Sequence, residues 1–171
     1  MLTQTELSRL AKKSYGEVTI RLQGLTLPEY ILLLDNKSIK IGDTAASYLY
    51  SLDAISEIVE AILNSKVRTR LGRMRALYVL NCEGRKALSQ STHAYLHLIH
   101  DRSLDVVYRA LFGLVFSQNE NVMDQIMAER SATENLKRRE LFDRALLALK
   151  ERSPHLFAPN FSDTNNVWEL K

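Results

Sequence analysis

An all-α fold of stacked antiparallel helical hairpins is what this sequence predicts, and three observations predict it. Arg-Ala-Leu followed by an apolar residue three positions on occurs at Arg75-Ala76-Leu77…Leu80, Arg109-Ala110-Leu111…Leu114 and Arg144-Ala145-Leu146…Leu149. The alanines are 34 and then 35 residues apart, a period at which each repeat is a helical pair that buries its apolar face on the next. Glycine and proline are scarce, six and three in 171 residues, which favours helices over turn-rich sheets. With 46% hydrophobic and 25% charged residues the chain has ordinary globular composition and enough length for one domain with a sizeable core. The expected organisation is an N-terminal cap over 1–41, repeats over 42–152 and a packed tail over 153–171.

Each element follows from local chemistry. Thr3-Gln4-Thr5-Glu6 and Ser14-Tyr15-Gly16-Glu17 have capping-box spacing and should each open a short helix. Val18, Ile20 and Leu22 alternate with Thr19 and Arg21, so residues 14–41 stay open between helix and a short strand pair. Pro28 suits the first turn of a helix through Tyr30, Leu32 and Leu33, where its missing amide costs nothing. Asp43 is placed to cap a helix bearing Ala45, Ala46, Leu49 and Tyr50, and Asp53 to cap one with Ile55, Ile58, Val59, Ile62 and Leu63 inward. Helices are expected over about 66–81, 85–99, 104–116, 121–128 and 134–152, with Gly84 in a turn and Pro154 ending the last. Leu156, Phe157, Phe161, Val167 and Trp168 make the tail apolar enough to cap the end of the stack.

The recurring first helices resemble HEAT-type repeats, in which Asp, Val-Arg, Ala and Leu stand at fixed offsets. Arg73-Met74-Arg75-Ala76 supplies the Arg and Ala, and Asp105 to Leu111 supplies the Asp, the Val and the Ala-Leu pair. Val107 and Phe142 stand where that pattern has Arg. The resemblance covers Gly42 to Arg152 and implies a short right-handed α-solenoid whose second helices line a concave face.

Little in the chain carries chemistry. His93, His97 and His100 at i, i+4 and i+7 could aim three imidazoles from one helix face. The Glu of the zinc-protease motif is missing and no second helix offers ligands, so partner-contact or surface histidines are expected, and no metal or other cofactor. Cys82 lies beside Glu83, which disfavours a thiolate, and no Gly-x-Ser-x-Gly elbow or phosphate loop occurs. The expectation is a protein that is not an enzyme.

The single cysteine suits a reducing cytoplasm, and neither a signal peptide nor a bilayer-spanning stretch is expected. The net charge of +3 does not by itself imply nucleic acid. Lys66, Arg68, Arg70, Arg73 and Arg75 form a basic run, but no aromatic interleaves to stack on bases, so a solvated outer face is expected.

The outward residues of the second helices are Asp53, Glu57 and Glu60, then Gln90, His93 and His97, then Asn121, Asp124 and Gln125. This acidic-to-neutral row would attract a basic protein and discourage nucleic acid. In size and architecture the chain also resembles small bacterial immunity proteins. That resemblance implies one partner, a basic toxin domain, bound and neutralised through the concave face. Two alternatives stay open. A nucleic-acid-binding module, similar to HEAT-like alkylated-base glycosylases, needs basic and aromatic residues there, and a scaffold or chaperone for several protein clients needs a broad apolar groove.

Overall fold

The computed structural model describes residues 2–82 and 90–158, and among these every regular element is helical. The chain divides into two compact units, Met1–Leu80 and Asn81–Lys171. The first holds α1 (Gln4–Leu10), α2 (Tyr15–Leu22), α3 (Leu27–Leu34), α4 (Ile39–Ser51), α5 (Ile55–Leu63) and most of α6 (Arg70–Cys82). The second holds α7 (Thr92–Leu98), α8 (Leu104–Phe116), a 3-10 turn (Glu120–Val122) leading into α9 (Met123–Ala132), α10 (Leu136–Lys150) and a 3-10 turn at Pro154–Leu156.

Capping residues explain why residues 14–41 are helical and contain no strand. Glu17 Oε2 accepts from the Ser14 amide at 3.1 Å while the Ser14 hydroxyl accepts from the Glu17 amide at 3.3 Å. Two helix-end donors are thereby satisfied, which outweighs the alternating pattern of Val18, Ile20 and Leu22. The Thr3 and Glu6 pair does the same for α1. Glu29 Oε2 accepts from the amide and hydroxyl of Thr26, so α3 opens on a third such pair, with Pro28 in its first turn.

Two expected caps act elsewhere. Helix α4 begins at Ile39 behind Ser38, and the Asp43 carboxylate, one turn in, pairs with Arg75 Nε at 2.9 Å. Asp53 does not cap α5, whose N-cap is Ala54; with φ 51° it closes α4 instead. There the Ala54 amide donates to the Leu49 carbonyl at 3.1 Å, the six-to-one bond of a left-handed helix end. The basic helix starts at Arg70, not 66, because the Asp35 carboxylate takes the amides of Arg68 and Thr69 at 2.8 and 2.9 Å and holds that stretch as a loop. Gly84 lies outside the described residues.

Ala76, Ala110 and Ala145 are fully buried, as are Leu77, Leu80, Leu111 and Leu114. Leu146 is only half-buried. The tail packs through Ala158: the Phe157 ring is buried, stacks on Tyr108 with centroids 5.0 Å apart, and lies under the Arg144 guanidinium. Phe161, Val167 and Trp168 lie outside the described residues.

A second periodicity joins the two units. Adding 65 to the bounds of α4, Ile39–Ser51, gives those of α8, Leu104–Phe116, and adding 65 to α3 gives α7 to within one residue. Tyr30 and Tyr95 then correspond, as do Ala45 and Ala110, and Leu49 and Leu114, and all six are buried. Asn36 and Asp101 also match: each side-chain oxygen accepts the amide two residues on, from Ser38 at 2.9 Å and Ser103 at 2.8 Å, just ahead of the long helix. Asp53 and Gln118, φ 51° and 54°, close the two long helices.

Candidate functional site

All nine residues expected on the partner-facing row are exposed. Asp53, Glu57 and Glu60 belong to the first unit, where α5 buries Ile55, Ile58, Ala61 and Ile62 and turns its acids to solvent. The strong amphipathicity of that helix sets this orientation, since the apolar spacing leaves one face for charge. Glu60 is partly engaged, with Lys66 Nζ at 3.8 Å and Asn64 Nδ2 at 3.4 Å. Gln90, His93, His97, Asn121, Asp124 and Gln125 belong to the second unit. There α7 buries Ala94, Tyr95 and Leu98 opposite its imidazoles, and α9 buries Ile126 opposite Asp124 and Gln125.

The three histidines do not act together. His93 and His97 point to solvent, whereas His100, past the end of α7, brings Nδ1 to 3.0 Å from Glu129 Oε2. Among the described residues no three or more His, Cys, Asp or Glu gather as a metal site. Cys82 is half-buried at the end of α6. No helix among the described residues is long and apolar enough to cross a membrane.

The arginines depart most from expectation. Arg75 is 5% exposed, not part of a solvated face. Its Nη1 donates to the Leu34 and Asn36 carbonyls at 2.7 and 2.8 Å, Nη2 reaches the Ser38 carbonyl at 3.4 Å, and Nε meets Asp43. One guanidinium thus satisfies the end of α3 and the turn into α4. Gly42 makes room: a Cβ there would come within 2.1 Å of the guanidinium carbon. Arg73 donates to the Arg68 carbonyl, Arg138 to that of Asp101, Arg139 to that of Thr133 and Arg144 to that of Phe157. Two arginines of the basic run, Arg73 and Arg75, are therefore occupied with backbone oxygens, as are Arg138, Arg139 and Arg144. Nothing local in the sequence marks this, because the accepting carbonyls lie up to 41 residues away.

Burial perturbs three titratable groups of the second unit. It pushes the Tyr95 and Tyr108 hydroxyls up and pulls the half-buried Arg109 down, with Asp105 opposing the last. These are packing effects on single groups, not a paired acid and base. No family model, curated protein or solved structure matches the chain.

Proposed function

We infer that the protein is a non-catalytic protein-binding module whose partner carries a basic surface. The observation that carries this reading is the division of labour among charges. Arg73, Arg75, Arg138, Arg139 and Arg144 donate to backbone carbonyls, while the side chains of Asp53, Glu57, Glu60 and Asp124 are exposed. Solvated carboxylates on rigid helices raise the encounter rate with a cationic partner and penalise nucleic acid. The finer reading is a HEAT-like stack that neutralises one cognate basic toxin domain, as small bacterial immunity proteins do; the helical hairpins and the exposed acidic and neutral row support it.

The test is affinity purification of the full chain from cells expressing it, followed by titration of the recovered partner. One stoichiometric basic protein is expected, with Glu57→Lys/Glu60→Lys weakening the complex about tenfold or more and leaving circular dichroism unchanged. Unaltered affinity in that variant removes the acidic edge from the interface. Tight duplex DNA binding at moderate salt, lost in Arg70→Glu/Arg73→Glu, replaces the proposal with the nucleic-acid one.

A further inference from the structure

Helix α1 is the least committed element of the first unit. Its seven residues fall well short of the roughly 12–15 at which a helix supports itself in water, so it depends on its seat. Its buried side chains are Leu7 and Leu10, each 8% exposed, while Val18 and Leu22 of α2 and Leu34 of α3 are fully buried. Its cross-link, Glu6 to Arg21 Nη2 at 3.3 Å, joins two largely exposed side chains and adds little. Clefts flank it on both sides. One of about 290 Å³ runs along α3 past Leu25, Leu32 and Leu33, and one of about 310 Å³ runs along α2 past Lys13, Glu17 and Arg21.

The chain also sets where any release would stop. Lys40 Nζ donates to the Lys13 carbonyl at 2.6 Å, and Ser14 is locked in the capping box of α2. The Ala11 and Lys12 amides bond back to the Leu7 and Arg9 carbonyls at 2.9 and 3.2 Å, so both belong to the end of α1 and its release would stop at Lys13.

We propose that α1 is a displaceable latch and that its seat between α2 and α3 docks an amphipathic helix from a partner protein. The present occupant specifies the chemistry of the incoming one: two leucine-sized residues at i and i+3, as Leu7 and Leu10, with a carboxylate just ahead of the first to meet Arg21. Leu32, already 51% exposed at the rim, offers the first apolar contact. This site uses none of the acidic-row residues and stands whether or not they bind a partner.

Hydrogen exchange on the full-length chain tests the latch directly: α1 amides should exchange far faster than those of α4, and equal protection overturns the proposal. A fluorescent peptide of residues 2–13 tests the seat. It should bind full-length Leu7→Asp/Leu10→Asp, whose own latch is open, about tenfold more tightly than the unaltered chain, where the seat is mostly occupied. Adding Arg21→Glu should weaken that binding about threefold. Equal binding to both chains, or of a peptide with both leucines changed to Asp, overturns the seat. Loss of helical signal beyond the seven residues of α1 in Leu7→Asp/Leu10→Asp overturns the latch, since a displaceable helix is not required for the rest of the unit to fold.

Discussion

Tyr30 and Tyr95 hold the same place in two halves of the molecule 65 residues apart, yet their surroundings differ. In the first unit the Tyr30 hydroxyl donates to the Leu22 carbonyl at 2.7 Å and its ring stacks on Tyr48 at 5.1 Å. In the second, the position matching Tyr48 is Gly113, and the Tyr95 ring lies on the bare helix, where a Cβ would come within 2.3 Å of it. A guanidinium meets the Asx-turn carbonyl in each unit, Arg75 at Asn36 and Arg138 at Asp101, but only Arg75 is also ion-paired and buried. The comparison teaches that the long helix's length and its buried alanine, Ala45 or Ala110, are shared, while the polar groups that close each unit are particular to it.

Where the units agree, substitution should do most damage. Ala110→Glu forces a carboxylate into a fully buried helix contact with no partner, and the matching Ala45→Glu does the same. Both chains are expected to fail to fold, seen as lost circular dichroism and solubility; a folded Ala110→Glu would break the correspondence at its centre.

Where they differ, effects should be unequal. Arg75→Met leaves the carbonyls of Leu34, Asn36 and Ser38 without that donor and should cost about 2–4 kcal/mol in urea unfolding. Arg138→Met removes one such bond and should cost about 1 kcal/mol, so equal losses would erase the distinction. Gly113→Ala, which must push the Tyr95 ring aside, is expected to cost about 1–3 kcal/mol.

Acid should also separate the units. Backbone donation from Ser14, aided by Lys13 and the Ser14 hydroxyl, holds the Glu17 carboxyl at about 2, and the Thr3 amide lowers Glu6 in the same way. Folded values below the ordinary 4.5 mean stabilisation that is complete above that pH and lost as pH falls through the folded value. The first-unit helices should therefore loosen between about pH 4.5 and 2, read by backbone NMR shifts of α1 and α2. The α7 and α8 helices, which start without a side-chain cap bond, should not share that transition.

The smallest effect is a gain. Gln118→Gly relieves a left-handed residue at a helix end and should stabilise by about 0.5–1 kcal/mol. Asp53→Gly should gain less, because Asp tolerates that conformation better.

Much of this was legible in the residues. The capping boxes at Thr3 and Ser14, the limits Leu104 to Phe116 and the burial of Ala76, Ala110 and Ala145 follow from spacing within a few turns of one helix. The exposure of the nine partner-row residues follows from the same periodicity. Asp43 and Asp53 were misplaced because a carboxylate near a helix start looks the same whether it caps that helix, answers an arginine 32 residues away, or closes the helix before it. Periodicity and capping act over a few residues, so the order of letters alone determined that the chain is helical, where most helices run and which faces are apolar. The destinations of Arg75, Arg138 and Arg144, the rings of Tyr30 and Tyr95, and the seating of α1 through Leu7 and Leu10 were decided only by tertiary structure. Each depends on which carbonyl, glycine or leucine from a distant part of the chain arrives within a few ångströms.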